Sequence, residues 1–363
     1  MLRPANLTDL DGLIQLETTS FDSDQISRRS FRYLLTKGKA ETWLDEESGE
    51  IRGYAIVLFN SGTSSARLYS IAVQPQSRGK GIAERLIRKI EETSLEKDFI
   101  YLRLEVRKDN LPAQNLYQKL GYKKIEIVKE YYEDKMDAQR FEKLLAPHLN
   151  PDLARVPYYH QTLDFTCGPA AVMMAMHALE PGFELDRKTE LRIWREATTI
   201  FMTSGHGGCG PYGLALAVKK RGFDVDLYVN DEGPLFLDSV RDPEKKEVLR
   251  LVQEDFRSEI DKLGITVHHG NLRALDLKEK FEEGGIPVVL ISMYKMINMK
   301  APHWVIITGF DDKYLYFHDP YTDIDRPPSD CTYSPILQKD FERMARYGKS
   351  SQKAALIIKR PKT

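Results

Sequence analysis

The stretch ARLYSIAVQPQSRGKGIAERLIRKIEE, residues 66–92, predicts a buried strand, a glycine-containing turn and an amphipathic helix, in that order. Residues 66–73 are apolar and β-branched enough for a buried strand, which Pro75 ends. The helix that follows places its apolar residues at helical spacing, and these are Ile82, Leu86, Ile87 and Ile90. This order of elements indicates an α/β unit.

The turn QSRGKG, residues 76–81, has the features of an anion site. Backbone N–H groups at a helix start lack intrahelical partners, and the helix dipole favours negative charge there. Gly79 and Gly81 would let a phosphate approach the backbone without a Cβ clash. A plain structural turn is an equally open interpretation. The dinucleotide-binding fingerprint is excluded, since the glycines are too few and no early βαβ unit surrounds them.

The next two predicted elements help to decide between an anion-binding turn and a plain structural turn. FIYLRLEV, residues 99–106, alternates as a strand does. One predicted face holds Ile100, Leu102, Leu104 and Val106, and the other holds Tyr101, Arg103 and Glu105. NLPAQNLYQKLGY, residues 110–122, reads as a helix that begins near Pro112 and ends at Gly121.

Residues 1–145 resemble the GNAT superfamily of N-acetyltransferases, and most of all its ribosomal-protein alanine N-acetyltransferases. QSRGKG matches that family's Q/R-x-x-G-x-G loop, and the second match is LEVRKDN followed by LYQKLGY. The resemblance implies acetyl-CoA as cofactor, bound to strand backbone, to the pyrophosphate loop and to a neighbouring asparagine. The implied binding residues are Ile71, Ala72, Val73, Gln76, Ser77, Arg78, Gly79, Lys80, Gly81 and Asn110.

Acetyl transfer needs a neutral amine nucleophile and a proton donor for the departing sulfur. The resemblance implies Tyr117 as that acid and Glu105 as a base acting on the amine. Each residue also has an ordinary interpretation, because Tyr117 could be a packed helix aromatic and Glu105 an exposed strand carboxylate. The partner implied is a peptide or protein with a free amine.

Length and composition predict two domains without a membrane segment. A chain of 363 residues is too long for one ordinary core, and 42% hydrophobic residues can fill two. The prolines of LLAPHLNPDLARVP, residues 144–157, interrupt helices and strands. We therefore predict an acetyltransferase domain over 1–146, a linker over 147–156 and a second domain over 157–363. The fold class expected is mixed α/β (α+β).

Charge and cysteine content exclude several classes of protein. The net charge of −1 gives no reason to expect nucleic acid or an anionic membrane as partner. Three widely spaced cysteines do not form a disulfide framework. The first 13 residues include acidic residues where a signal peptide needs an apolar run, and no stretch approaches about 18 apolar residues. The expectation is a cytoplasmic protein; its oligomeric state stays open.

The second domain begins with QTLDFTCGPAA, residues 161–171, where Cys167 precedes a Gly-Pro pair at a predicted helix start. A helix N-terminus favours the nucleophilic thiolate over the thiol. The ordinary interpretation is a buried, inert cysteine. A nucleophile also needs a histidine base, a group that orients it and an oxyanion donor. The side-chain amide of Gln161 is the candidate donor.

HWVIITGFDDKYLYFHDP, residues 303–320, reads as two strands joined by a short loop. If the hairpin closes around Asp311, Gly309 faces Lys313, Thr308 faces Tyr314 and Ile306 faces Tyr316. His303 then lies opposite Asp319, close enough to interact, whereas His318 points to the other face. A slip of one residue in register would break this pairing.

The same residues resemble papain-like peptidases that trim double-glycine leader peptides, through a pattern of Gln161, Cys167-Gly168, His303 and Asp319-Pro320. The resemblance covers about residues 155–325 and implies Cys167 as nucleophile, His303 as base and Asp319 as its orienter. Those peptidases are commonly fused to membrane transporters, whereas this chain couples the domain to an acetyltransferase. The alternatives are a peptide-binding module that does not cleave, or a triad used for transfer or deamidation.

The other two cysteines, Cys209 and Cys331, are weaker candidates for a functional role. His206 and Cys209 in GHGGCGPYG, residues 205–213, could begin a metal site, but no second pair has ligand spacing. We expect instead a glycine-rich loop before a helix that starts at Pro211, and no metal. Cys331 reads as a plain free thiol.

Overall fold

The computed structural model describes residues 1–198, 201–202, 205–231, 233–234, 237, 240, 242–299, 301–323, 326–348 and 350–361. The chain divides into two compact units, unit 1 over Met1–Leu149 and unit 2 over Asn150–Thr363.

Unit 1, which is described throughout, is a seven-stranded mixed sheet with helices on both faces. Its strands are β1 (Leu2–Pro4), β2 (Ala40–Glu47), β3 (Glu50–Phe59), β4 (Ser65–Val73), β5 (Tyr101–Arg107), β6 (Lys123–Val128) and β7 (Ala138–Leu144). Its helices are α1 (Leu10–Ser20), α2 (Arg28–Thr36), α3 (Ile82–Glu96) and α4 (Leu111–Lys119). The strand order is β1-β2-β3-β4-β5-β7-β6, and only β4 and β5 pair in parallel.

The predicted elements of unit 1 are confirmed. The apolar stripe of α3 packs on one face of the sheet together with Leu102, Leu104 and Val106 of β5. Helices α1 and α2 cover the opposite face around Tyr54 and Ile56. A two-sided sheet of this kind is the mixed α/β class that the alternating pattern indicated.

Unit 2 is a second α/β unit built around a larger mixed sheet. Its strands are β8 (Asp152–Leu153), β9 (Phe201–Met202), β10 (Gly205–His206), β11 (Asp224–Val229), β12 (Thr266–His269), β13 (Ile286–Ser292), β14 (Pro302–Phe310), β15 (Tyr314–His318), β16 (Ser334–Leu337) and β17 (Ala354–Lys359). Its helices are α5 (Cys167–Leu179), α6 (Arg187–Ala197), α7 (Pro211–Lys219), α8 (Pro243–Lys262), α9 (Ala274–Glu282), α10 (Tyr294–Ile297), α11 (Pro328–Cys331) and α12 (Gln338–Met344). Among the described residues, the main sheet runs β12-β11-β17-β13-β14-β15-β16, with β8 paired to β14.

Helix α5 is the central helix of unit 2. It begins at Cys167, as predicted, and residues 167–176 are all buried. Its apolar side chains share one core with α7 and with Trp304 and Ile306 of β14. A helix that is apolar around its whole circumference is stable only when it is covered on all sides. The core of unit 2 therefore holds Cys167 in a fixed position.

The predicted linker, residues 147–156, is wrong in part, because its second half belongs to unit 2. Asp152 and Leu153 pair with Phe310 and Gly309 of β14. Val156 is buried in the core around α5. Apolar side chains of the segment thus gain burial that a free linker would not provide.

The predicted register of the β14–β15 hairpin is also wrong. Ile306 pairs with His318 and Gly309 pairs with Tyr316, with a bulge between Ile307 and Gly309. The bulge lies where β14 meets β8 and the residue after it, since the Thr308 carbonyl accepts a hydrogen bond from Ala154 N–H at 2.9 Å. A Cβ on Gly309 would lie 2.3 Å from the carbonyl oxygen of Asp152, so the backbones can approach only at a glycine.

The observed pairing of Ile306 with His318 places Asp319 opposite Val305. This is two residues away from the predicted partner, His303. On this side of the bulge, a shift of two residues keeps side chains on their predicted faces, whereas beyond the bulge Gly309 is three residues from its predicted partner. His303 and Asp319 therefore remain diagonal neighbours.

Candidate active sites

The glycine turn of unit 1 lies at the N-terminus of α3, where the helix dipole is positive. Gly79 and Gly81 both have left-handed backbone conformations, with φ of 80° and 73°. Gly81 is the N-cap of α3 and supplies no side-chain hydrogen bond to the first-turn N–H groups. A Cβ on Gly79 would meet no atom within 4 Å. The turn therefore fits a diphosphate bound through backbone N–H groups.

Strands β4 and β5 separate next to this turn. In unit 1, their parallel ladder joins residues 65–68 to residues 101–104 and extends no further. A bulge at Tyr69 shifts the register of β4 against β3 at this point. Residues 71–73 still pair with β3, so the polar groups that point towards β5 have no strand partner. Because successive residues of a strand direct their N–H and C=O groups to opposite edges, these residues present only some of their backbone donors and acceptors to the gap, and the Val73 carbonyl also accepts a hydrogen bond from Arg78 Nε at 3.4 Å. The remaining predicted cofactor residue, Asn110, is the N-cap of α4 and accepts a hydrogen bond from Ala113 N–H at 3.2 Å.

Tyr117 lies in the core of unit 1 on α4. Its ring contacts those of Tyr122 and Phe141, with centroid distances of 5.8 and 5.9 Å. Burial raises the pKa of Tyr117 well above the usual tyrosine value. The residue is therefore packed, as the ordinary interpretation holds, and it also keeps the protonated phenol that a general acid requires.

Glu105 is buried between two arginines. Its Oε2 lies 2.8 Å from Arg67 Nε, and its Oε1 lies 2.9 Å from Arg140 Nε. Each of the two carboxylate oxygens of Glu105 is thus engaged by a guanidinium group. The expectation of an exposed carboxylate is wrong, and the base role stays a prediction that this arrangement disfavours.

Sequence reasoning missed the polar residues around Glu105. Arg67 also hydrogen-bonds the Tyr131 hydroxyl, in the loop between β6 and β7. That loop reaches the connection between α1 and α2, where Asp24 accepts a hydrogen bond from Glu133 N–H at 3.0 Å. The only local signal was the adjacent pair Tyr131-Tyr132 in a polar segment, which by itself indicates no contact.

In unit 2, Cys167 is the first residue of α5, and Thr166 is the N-cap without a side-chain cap bond. The thiol side chain is only 7% exposed. A Cβ on Gly168 would lie 2.9 Å from Leu214 Cδ1 and 3.2 Å from Trp304 Cδ1. The glycine after Cys167 therefore lets the helix start pack against α7 and β14.

His303 is buried between the predicted nucleophile and the predicted orienting residue. Its Nε2 lies 2.6 Å from Asp319 Oδ1. Burial lowers the pKa of His303, but Asp319 and Cys167 raise it by more than burial lowers it, so that the pKa is about 10. The structure thus brings Cys167, His303 and Asp319 together and favours the imidazolium form of the base.

Asp319 is held by more than His303. Its Oδ1 accepts a second hydrogen bond from Tyr321 N–H at 2.9 Å, and its Oδ2 lies 2.8 Å from Arg326 Nη2. Burial raises the pKa of Asp319, but His303 and Arg326 lower it well below the usual range. Asp319 is therefore ionised, and Arg326 is a site residue that sequence reasoning missed.

Gln161 is tied to the same region, because its N–H donates to the Pro320 carbonyl at 2.8 Å. Its side-chain Nε2 donates to the Leu163 carbonyl at 2.9 Å. Its Oε1 is buried and has no hydrogen-bond partner among the described residues. One of the two amide hydrogens is thus committed inside the loop, and the second is the one that the predicted oxyanion role requires.

The other candidates have different surroundings. His318 Nε2 donates to the Val156 carbonyl at 3.0 Å while its Nδ1 accepts from Tyr333 N–H, and burial lowers its pKa to about 4. Burial, and then Cys167, raise the pKa of Cys209, and burial raises the pKa of Cys331 to about 12. The side chain of His206 lies outside the described residues. In the part of the chain that is described, no group of three or more His, Cys, Asp or Glu residues could hold a metal.

Comparison with known families finds a match in each of the two units. Residues 156–359 match the Peptidase_C39 like family, and residues 10–122 match the acetyltransferase (GNAT) family. The chain belongs to both families. The family assignment and the mixed α/β fold expected from the sequence are thereby confirmed.

The GNAT domain has named relatives. A candidate ribosomal protein bS18-alanine N-acetyltransferase of Bacillus subtilis (strain 168) is 35% identical over 133 residues, covering 37% of this chain and 87% of the relative. An N-alpha-acetyltransferase of Sulfurisphaera tokodaii is 31% identical over 150 residues, covering 38% and 88%. The crystal structure of the Escherichia coli ribosomal-protein-S18-alanine N-acetyltransferase shares 23% identity at a TM-score of 0.37, covering 40% and 93%.

GNAT acetyltransferases use acetyl-CoA as cosubstrate, and the glycine turn with the β4–β5 gap is compatible with that ligand. Helices of the described residues include none that is long and apolar enough to cross a membrane.

Proposed function

We propose that the GNAT domain transfers an acetyl group from acetyl-CoA to an amine of a peptide or protein. The observation that carries this proposal is the end of the β4–β5 ladder beside the glycine turn. A ligand with amide groups and a diphosphate can pair with the free strand edge and with the helix N-terminus at once. The protein and N-terminal substrates in the names of the relatives support a peptide or protein amine as acceptor.

The thioester supplies an activated acetyl group when it is bound. Gly79 and Gly81 would hold the diphosphate, and residues 71–73 would orient the chain that carries the thioester. Tyr117, kept protonated by burial, would donate its proton to the departing sulfur. Glu105, paired with Arg67 and Arg140, would organise the polar face of the sheet where the amine must approach.

Mass spectrometry of candidate peptides incubated with acetyl-CoA tests this proposal. Tyr117→Phe should retain acetyl-CoA binding and lose most of the turnover. Tyr122→Phe is the matched control, because Tyr122 is a buried tyrosine of the same core whose ring contacts that of Tyr117. Equal activity of the two variants would remove Tyr117 from the mechanism, and absence of any acetylated product would contradict the function.

We also propose that unit 2 is a cysteine peptidase. The carrying observation is His303, buried in contact with Cys167 and hydrogen-bonded to ionised Asp319. The Cys167 thiolate would attack a peptide carbonyl, and the His303 imidazolium would protonate the leaving amine. Water, activated by neutral His303, would then hydrolyse the thioester and regenerate the thiolate.

A peptide-binding module would need none of these groups, because binding requires no nucleophile. Peptides incubated with the wild-type protein and with His303→Ala separate the two functions. Wild-type cleavage that His303→Ala abolishes supports a peptidase. Loss of ammonia without cleavage would indicate deamidation, and transfer to an added amine would indicate a transferase. Binding without any product would leave only the binding module.

The two activities could act in sequence on one substrate. Cleavage exposes a new α-amine, which is the group that an N-acetyltransferase modifies. This link rests on the presence of both domains in one chain. Acetylation confined to newly exposed termini would support it.

A further inference from the structure

Glu190 is a buried carboxylate of unit 2 that neither family resemblance indicated. It lies in the first turn of α6 and its side chain is fully buried. Within the described ranges, no Lys, Arg or His forms an ion pair with it. Instead it accepts four hydrogen bonds: from the Thr162 N–H at 2.8 Å, the Thr162 hydroxyl at 2.6 Å, the Thr166 hydroxyl at 2.5 Å and the Tyr159 hydroxyl at 3.0 Å.

All four donors belong to one short segment, residues 159–166, which ends immediately before Cys167. Gln161 lies between the first two donor residues, Tyr159 and Thr162. The other end of the segment is Thr166, which is the N-cap of α5. Glu190 therefore contacts the residue after the predicted oxyanion donor, the residue two positions before that donor, and the residue that precedes the predicted nucleophile.

Burying a carboxylate is unfavourable unless hydrogen bonds compensate it, and hydrogen bonds to a charged acceptor are the stronger ones. The first turn of α6 adds a favourable helix dipole. The polar groups of the segment thus donate to the Glu190 carboxylate instead of to water. Glu190 joins the two ends of the segment through one side chain, in addition to the bonds that Gln161 makes to the Pro320 and Leu163 carbonyls.

An oxyanion hole needs two donors at a defined separation. The candidates are the free hydrogen of the Gln161 amide and the N–H of Cys167, which as a helix-start group lacks an intrahelical partner. Their separation depends on the conformation of the segment between them. Misplacement by about 1 Å can cost about 10²-fold in rate.

We propose that Glu190 is a positioning residue that sets the separation of the Gln161 amide and the Cys167 N–H, and so assembles the oxyanion hole. This inference rests on the proposed peptidase function. The competing explanation is that Glu190 only stabilises the fold of unit 2.

Two reactions of Cys167 separate these explanations. With p-nitrophenyl acetate, the sulfur forms a bond to the acetyl carbon through a tetrahedral oxyanion, and p-nitrophenolate leaves. With iodoacetamide, the sulfur displaces iodide in one step and no oxyanion forms. The ratio of acylation rate to alkylation rate at Cys167 therefore reports on the oxyanion hole alone. Cys167→Ala supplies the blank for both reactions.

Glu190→Gln keeps the shape but replaces one acceptor by a donor that faces other donors. We expect it to lower the ratio by about tenfold or more, since losing an oxyanion donor costs about 10²–10³-fold. Thr166→Val should act in the same direction, whereas Thr166→Ser, which keeps the hydroxyl, should stay within about twofold of the wild type. The matched control is Glu196→Gln, on the same helix, whose carboxylate pairs with Arg221.

A fall of both rates in proportion, or an unchanged ratio, would overturn the proposal and leave Glu190 a purely structural role. If circular dichroism shows that Glu190→Gln does not fold, the contrast between Thr166→Val and Thr166→Ser decides. Wild-type protein that neither acylates nor preferentially alkylates Cys167 would instead contradict the peptidase function itself, and this proposal with it.

Discussion

Replacing Asp319 by Asn tests how the charge of His303 is maintained. The substitution keeps the shape of the side chain but removes the charge that lies 2.6 Å from His303 Nε2. Opposite charges about 4 Å apart interact by about 4 kcal/mol at an effective dielectric constant of about 20, which corresponds to about 3 pKa units. We therefore expect the pKa of His303 to fall from about 10 towards neutrality.

The thiolate–imidazolium pair and the thiol–imidazole pair hold the same number of protons. Lowering the pKa of His303 by about 3 units moves the balance between them towards the thiol by up to about 10³-fold. We expect iodoacetamide at pH 7, followed by peptide mapping, to label Cys167 at least about tenfold more slowly in Asp319→Asn than in the wild type. His303→Ala should abolish the preference for Cys167 over Cys209 and Cys331.

His318→Ala is the control for this experiment, because His318 contacts the Val156 carbonyl and Tyr333 rather than Asp319. Its labelling of Cys167 should equal that of the wild type. Labelling of Asp319→Asn at the wild-type rate would refute the role of Asp319. Control of Cys167 by His318, or equal labelling of the three cysteines in the wild type, would refute the proposed triad.

Three other outcomes are expected. Gly79→Glu places an anion and a strained left-handed side chain in the glycine turn, so calorimetry should show acetyl-CoA binding largely lost with an unchanged circular dichroism spectrum. Tyr117→Phe should slow acetyl transfer at least about tenfold at every pH while Tyr122→Phe does not, as measured by product mass spectrometry. Because His318 has a pKa of about 4 in the folded protein and an ordinary histidine pKa of about 6.5 when unfolded, unfolding takes up a proton between these pH values. The free energy of unfolding should therefore fall by up to about 3 kcal/mol as pH drops from about 6.5 to about 4. Urea titration of His318→Gln should lack this loss of stability. The same dependence of the unfolding free energy on pH in both proteins would exclude His318 as its source.

The local elements of both domains could be predicted from the sequence. The strand before QSRGKG, the helix after it and the helix that begins at Cys167 depend on apolar spacing and on proline and glycine within a few residues. The pairing of His303 with Asp319 was also within reach, because alternation along two strands assigns faces even when the register is off by two residues.

Only the tertiary structure decided the register of the β14–β15 hairpin and which charged side chains pair with the site residues. The bulge at Thr308 lies where β14 pairs with β8, which is about 150 residues away in the chain. Arg67 and Arg140 reach Glu105, Arg326 reaches Asp319 and Glu190 reaches the segment before Cys167, each through packing of separate elements. Periodicity indicates which face of an element is buried, but not which polar group from elsewhere will meet it there. That choice follows from the need of every buried charge and N–H group for a partner, which only the assembled fold can satisfy.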